Sequence, residues 1–183
     1  MPLAHVVDDA LPAEFADELL RWIYQNRGCM QRDSGYDPGS HRCSYGLTEF
    51  DERAPDLWAR LRPRLLELYQ AALKPCAEPS FDLQSIQCFA TLYHHGMGFC
   101  WHDDAQQDLD ENLPAVPQGH ELVPDRRLSY SLYLNAEPKM FSGGELELMD
   151  GTVVEPKHNR FVFFNPLQQH RSPNWDRRQS RRR

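Results

Sequence analysis

Two segments far apart in the chain carry side chains able to share one metal ion. Phe99-Cys100-Trp101-His102-Asp103-Asp104 ends an apolar, strand-like run in a His-x-Asp pair. Phe163-Phe164-Asn165-Pro166-Leu167-Gln168-Gln169-His170 follows another such run with a single histidine. In a strand, residues two apart point to the same side, so His102 and Asp104 can face one ion while Asp103 points away. A bulged strand would exchange the acids and make Asp103 the ligand. Two neutral imidazoles and one carboxylate fill one face of a metal and leave the opposite face open. That donor set suits a divalent iron that takes its reagents on the open side. Structural zinc is a poorer match. His94 and His95 extend the histidine cluster, but such zinc takes four protein ligands at short spacings, and no cysteine lies nearby in a paired pattern. Those two histidines, just before Gly96, read as surface or substrate-contact residues. Each residue taken alone also has a bland reading, His102 as a polar strand residue above all.

The elements that must position these groups change character along the chain. Asp8-Asp9-Ala10-Leu11-Pro12 opens a first helix with acids and a proline, as a positive helix end prefers. Phe15, Leu19, Leu20 and Ile23 fall on one face of it, and Gly28 closes it. Residues 31–53 are polar and rich in Gly, Ser and Asp, which predicts a loop with a short strand around Arg42–Tyr45. A second helix is expected from about Ala54 to Leu73 on the spacing of Leu57, Leu61, Leu65 and Leu68, with Pro63 kinking it or marking a late start. From Phe81 the period becomes two. Ile86, Cys88, Ala90 and Leu92 alternate with Ser85, Gln87, Phe89 and Thr91, although Phe89 blurs the polar face. Arg127–Leu134 alternates in the same way. Asp150-Gly151 predicts a hairpin joining Glu145–Met149 to Thr152–Val154, and Arg160–Phe164 reads as a short buried strand. Between Asp104 and Arg126 runs a long polar segment, more often a lid or substrate loop than an idle connection. Helices first and many short strands after point to an antiparallel sandwich with helices packed outside it.

Bulk properties bound the function classes. A chain of 183 residues is expected to be one domain able to bury a real core: a helical support region over 1–80 and a β core over 81–183. No apolar run approaches the length of a membrane span. Met1-Pro2-Leu3-Ala4-His5 has neither a basic nor an apolar leader region, so a cytoplasmic protein is expected. The five cysteines, Cys29, Cys43, Cys76, Cys88 and Cys100, follow no paired spacing and read as reduced thiols. A formal charge of −7 argues against a nucleic-acid backbone as main partner. The arginine-rich end from Arg177 to Arg183 reads as a solvated tail or a basic patch.

The motifs themselves resemble those of the Fe(II)/2-oxoglutarate-dependent dioxygenases, in their prolyl 4-hydroxylase-like branch. The blocks stand in the family's order. Tyr93-His94-His95-Gly96-Met97-Gly98-Phe99-Cys100-Trp101-His102-Asp103-Asp104 comes first, then Arg127-Leu128-Ser129-Tyr130-Ser131-Leu132-Tyr133-Leu134-Asn135. Ser142-Gly143-Gly144-Glu145-Leu146 follows, and Glu155–Phe164 leads to His170. The resemblance implies a mainly β fold with N-terminal helices: a double-stranded β-helix, or cupin-like jelly-roll barrel, flanked by two or more helices. It implies His102, Asp104 and His170 as iron ligands, and Tyr93 and Tyr133 as lining the 2-oxoglutarate pocket. The family also carries a basic residue after the distal histidine that pairs with the far carboxylate of 2-oxoglutarate. A guanidinium matches a carboxylate bidentately, which gives that pairing its strength. Here the family's spacing lands on Gln179 and Ser180, between Arg178 and Arg181. Ser180-Arg181 looks most like the family's entry to that strand, which favours Arg181 with Arg178 in reserve. The apolar strand that the family places after this arginine is absent from the sequence.

The implied chemistry is hydroxylation of an unactivated C–H bond with O₂, releasing succinate and CO₂, with ascorbate a candidate reductant. Related halogenases replace the carboxylate with Gly or Ala, so Asp104 favours hydroxylation. Three substrate classes stay open: a prolyl or other residue in a protein, a free or tethered amino acid, and a secondary metabolite. The short acidic chain, without a peptide-binding module, leans toward a small molecule or tethered amino acid. Two other classes share parts of the pattern. An AlkB-like nucleic-acid demethylase has the same triad, although negative charge and the lack of base-stacking aromatics among basic residues stand against it. A cupin-like metal-binding module without turnover is the other. Arg42, in the N-terminal loop, is a candidate substrate contact.

Overall fold

The computed structural model describes residues 4–33, 42–73, 86–94, 96–104 and 128–173. In chain order the elements are β1 (Ala4–Val7), α1 (Ala13–Asn26) with a 3₁₀ turn at Arg27–Cys29, β2 (Gln31–Asp33), β3 (Arg42–Leu47), α2 (Phe50–Arg53), α3 (Pro55–Leu73), β4 (Ala90–Leu92), β5 (Gly98–His102), β6 (Ser129–Tyr133), β7 (Leu146–Leu148), β8 (Val153–Val154), β9 (Arg160–Phe164) and β10 (His170–Ser172).

The helices follow from their apolar spacing. In α1, Phe15, Ala16 and Leu19 are buried. Pro12 stands just before its first turn, where a missing N–H costs nothing. Leu57, Leu61, Leu65 and Leu68 form the buried stripe of α3. The helix runs unbroken through Pro63, so the expected late start is not found. Pro55 opens it instead, at the first helical position where proline is favoured. Phe50 of α2 meets Trp22 and Trp58 edge-on, at 5.1 and 6.5 Å between ring centroids, and so joins α1 to α3.

The strands form two sheets. The smaller has the order β1-β9-β6; the larger runs β2-β3-β5-β10-β7-β8, with β4 also paired to β3. β9 is central in the smaller sheet, which is why Phe161-Val162-Phe163-Phe164 is apolar on both faces and buried throughout. Phe161 and Phe163 turn toward the helices, joined by Leu128, Tyr130, Leu132 and Leu134 around β6. Val162 and Phe164 turn the other way and meet Leu146, Leu148 and Val154 of the larger sheet. Helices thus cover one face of the small sheet and the large sheet packs on the other, while Trp22 and Ile23 of α1 also reach Leu47 of β3 and Ala90 of β4 in the large sheet. The fold is mainly β with a few helices.

Several expectations need correction. The N-terminal third is not wholly helical: β1 adds a strand at the start, with Ala4 to Val7 paired to Phe164 to Phe161. Among the described residues of the alternating 85–92 run only Ala90–Leu92 is a regular strand, yet Phe89 is 49% exposed, so the alternation describes facing correctly. Among the described residues the strands of the expected jelly roll do not close into a barrel. No strand of one sheet hydrogen-bonds to the other among the described residues, and the sheets meet through side chains. The 104–126 segment expected as a lid lies outside the described residues beyond Asp104. Among the described residues no helix is long and apolar enough to cross a membrane.

Candidate metal centre

Three turns and strand ends bring the donor groups together. β5 delivers His102 as its last residue, and β10 begins with His170, directly opposite it in antiparallel register. The register of that pair shifts before Ser172: two steps along β10 match three along β5, so the extra residue lies in β5, between Phe99 and His102. Asp104 does not reach the site along a strand. β5 ends at His102, and a bend carries Asp104 round, its N–H donating to the Pro166 carbonyl at 2.9 Å. That bond ties together the two segments that supply the donors. The return toward His170 is a polar turn: Asn165 Oδ1 accepts the Leu167 N–H at 3.0 Å and its carbonyl accepts the Gln168 N–H at 3.0 Å. Asn-Pro is a sequence built for such a turn.

The result is a compact donor set. One ligand atom from each of His102, Asp104 and His170 lies within 4.8 Å of the others. Asp104 Oδ1 is 3.7 Å from His102 Nε2 and 3.8 Å from His170 Nε2. Both imidazoles are oriented from behind by their own chain. His102 Nδ1 lies 2.8 Å from the Cys100 carbonyl, and His170 Nδ1 lies 3.0 Å from the Gln168 carbonyl. A carbonyl only accepts, so each Nδ1 donates its hydrogen, and the neutral form of each ring carries its lone pair on Nε2, the atom facing Asp104. Two Nε2 atoms and one carboxylate oxygen, with both Nδ1 atoms engaged from behind, fit a divalent iron. Asp103 is not part of this cluster.

Aromatic rings and a serine enclose the set. Phe99 stacks on His102 at 3.4 Å between centroids, and Phe164 meets His170 edge-on at 4.6 Å. His170 is buried, while His102 and Asp104 keep partial exposure on the open side. The Ser129 hydroxyl donates to Asp104 Oδ2. Reading the sequence alone missed this serine as a site residue. Its signal was the alternation Ser129, Ser131, Tyr133, the face of β6 opposite to Tyr130 and Leu132.

Tyr133 ends β6, and Tyr93 follows β4. Burial pushes the Tyr133 phenol far above its ordinary value, and the charges of Tyr93 and Glu145 beside it add to the rise. Tyr133 is therefore a neutral O–H donor at every ordinary pH. His94 lies away from the donor set, its ring edge-on to Tyr45 at 5.3 Å. His95, Arg178 and Arg181 lie outside the described residues, as does the side chain of Arg42.

Comparison with known proteins agrees with this geometry. The chain is 28% identical over 143 residues to an uncharacterized PKHD-type hydroxylase of Synechocystis sp., covering 71% of this chain and 42% of the relative. It thus spans less than half the length of that curated protein. A Pseudomonas putida prolyl-4-hydroxylase superposes with a TM-score of 0.63 at 19% identity, over 96% of this chain and 86% of its own. A Trichoplax adhaerens prolyl hydroxylase, in complex with a hypoxia inducible factor peptide fragment, gives 0.69 at 15%, over 94% and 78%. The viral collagen prolyl hydroxylase of Paramecium Bursaria Chlorella virus-1, in a 2OG complex, gives 0.62 at 18%, over 95% and 89%. At these identities the likeness speaks for the fold. The model of the 2OG-Fe(II) oxygenase superfamily matches residues 88–183, more than half of the chain and the whole span that holds the three donors, and the chain belongs to that superfamily.

Proposed function

We propose that the chain is a 2-oxoglutarate-dependent hydroxylase in which His102, Asp104 and His170 hold Fe(II). The observation that carries this reading is the convergence of two Nε2 atoms and one carboxylate oxygen where β5 ends and β10 begins. When bound, the iron and its 2-oxoglutarate cosubstrate supply the oxidation of a C–H bond by O₂, with succinate and CO₂ released.

The chain's own residues bind, orient and dry the site. The carbonyls of Cys100 and Gln168 accept from the two Nδ1 atoms and so leave Nε2 of each ring as the atom that can ligate. Phe99 and Phe164 exclude water from the ring faces they cover, which strengthens the electrostatics inside. Tyr133 offers a permanently protonated phenol, which we assign to a carboxylate of 2-oxoglutarate, with Tyr93 beside it. Arg181 is assigned the distal carboxylate, with Arg178 as alternate. We read the 183 residues as one oxygenase domain, with ascorbate keeping the iron reduced.

The substrate class assigned is an amino-acid side chain, prolyl first, because the proteins of like fold are named as prolyl hydroxylases. The test incubates the protein with Fe(II), 2-oxoglutarate and ascorbate against proline-containing peptides and free amino acids. It reads succinate together with a mass gain of one oxygen on the substrate. Absence of iron-dependent succinate under all these conditions overturns the reading. Succinate without oxygen transfer to any prolyl substrate overturns the substrate class alone.

A further inference from the structure

Ser129 is the first residue of β6, in the smaller sheet, whereas Asp104 follows β5, in the larger. Its hydroxyl, 4% exposed at the residue level, crosses from one sheet to the other and donates to Asp104 Oδ2. A buried serine at a strand end commonly satisfies itself on a nearby backbone carbonyl. This one reaches instead a carboxylate whose other oxygen, Oδ1, lies between the two imidazole nitrogens at 3.7 and 3.8 Å. The two oxygens of Asp104 therefore have separate engagements. Strand pairing sets the serine's location: Ser129 stands across from Phe164 in the β6–β9 register, and the Phe164 ring meets His170. One strand pair thus positions both the ring behind His170 and the donor behind Asp104.

We propose that Ser129 is a positioning residue that makes Asp104 a one-oxygen metal ligand, and this rests on the iron reading above. An ionised carboxylate has two equivalent oxygens and can grip a cation with both. A hydroxyl donating to Oδ2 removes that oxygen from competition and fixes the torsion that aims Oδ1. It also keeps the coordination position that Oδ2 would take open for reagents. Outer partners of this kind are worth roughly 10–100-fold in metal affinity or activity.

The test uses metal binding by the metal-free full chain, without turnover. Mn(II) affinity is measured by titration calorimetry, and the Co(II) visible spectrum reports ligand number, for wild type, S129A, S129T, S129C and D104A. Wild type is expected to bind and D104A to lose binding. S129A is expected to bind roughly 10–100-fold more weakly with an altered Co(II) spectrum, and S129T, which keeps the hydroxyl, to restore both. S129C, of similar volume but a weaker donor, is expected to fall between and serves if S129A does not fold. If S129A, or S129C in its place, matches wild type in affinity and spectrum while D104A fails, the positioning role is overturned and the iron reading stands. If wild type binds no better than D104A, the iron reading falls and takes the proposal with it.

Discussion

His170 stands directly across from His102 in the pairing of β10 with β5, with the ring centroids 4.1 Å apart. Two donors remote in sequence thus become neighbours through one backbone register. Because that register supplies both nitrogens, substituting either histidine removes half of the nitrogen donors without touching the other. His170→Ala and His102→Ala should each cost more Mn(II) affinity than the roughly 10–100-fold lost with an outer partner. Each should also abolish iron-dependent succinate formation. Titration calorimetry checks the first and succinate assay the second; a variant that binds as wild type removes that histidine from the set.

Tyr133 should act on the cosubstrate and not on the metal. Its phenol is held protonated by burial, with Tyr93 and Glu145 contributing. A hydrogen bond to a charged group is worth about 1.5–3 kcal/mol. Tyr133→Phe should therefore raise the KM for 2-oxoglutarate about 10- to 100-fold and leave Mn(II) affinity unchanged. Unchanged KM would place Tyr133 in the core and nowhere else.

Asn159 should be a stability hinge. It adopts a left-handed backbone with φ 59°. Its side chain accepts the Leu11 N–H at 2.9 Å and donates to the Leu11 carbonyl at 2.7 Å, and its own carbonyl accepts the Ala10 N–H at 3.0 Å. Asn159→Ala leaves two buried backbone groups unpaired and strains the backbone, so about 2–4 kcal/mol should be lost in urea unfolding. Asn159→Gly removes the same bonds without the steric strain and should fall short of that loss. Equal loss in both variants would assign the whole effect to the hydrogen bonds.

Acid should weaken the β1–β9 edge through Asp8. Arg160 donates to this carboxylate at 2.6 and 3.0 Å and Lys157 at 3.0 Å. The hydrogen bonds from Arg160, then Lys157, hold its carboxyl well below the usual range. A group with a depressed folded value contributes stability above its unfolded value, near 3.8, and loses it as pH falls below that. Asp8 is 38% exposed, so water screens the pair and its worth is about 1 kcal/mol or less. Asp8→Asn should cost that amount at pH 7 and little at pH 2, so the two unfolding curves converge in acid. Parallel curves across that range would exclude the linkage.

How much of this was legible in the residues depends on the range of the forces involved. β9 was readable to the residue at Arg160–Phe164 because four successive apolar side chains demand burial on both faces. The Asp150-Gly151 hairpin was equally plain, since Gly151, at φ 91°, adopts a backbone few other residues tolerate. The histidines and acids announced a metal by type and spacing, and the order of the motif blocks announced the family. These signals are local, and neighbouring residues carry them in full.

What the tertiary structure alone decided is everything set by partners distant in the chain. Val6 and Val7 are β-branched but too short a run to settle a strand alone, and β1 forms on the edge that β9 offers. Asp104 reaches the centre by a bend anchored on Pro166, where spacing alone had suggested a continuing strand. Ser129 looked like one small residue in an alternating run until sheet packing set its hydroxyl against Asp104. Residue chemistry names the groups that can react; only long-range hydrogen bonds and packing fix their separation and aim, because those energies depend on neighbours that the local sequence does not contain.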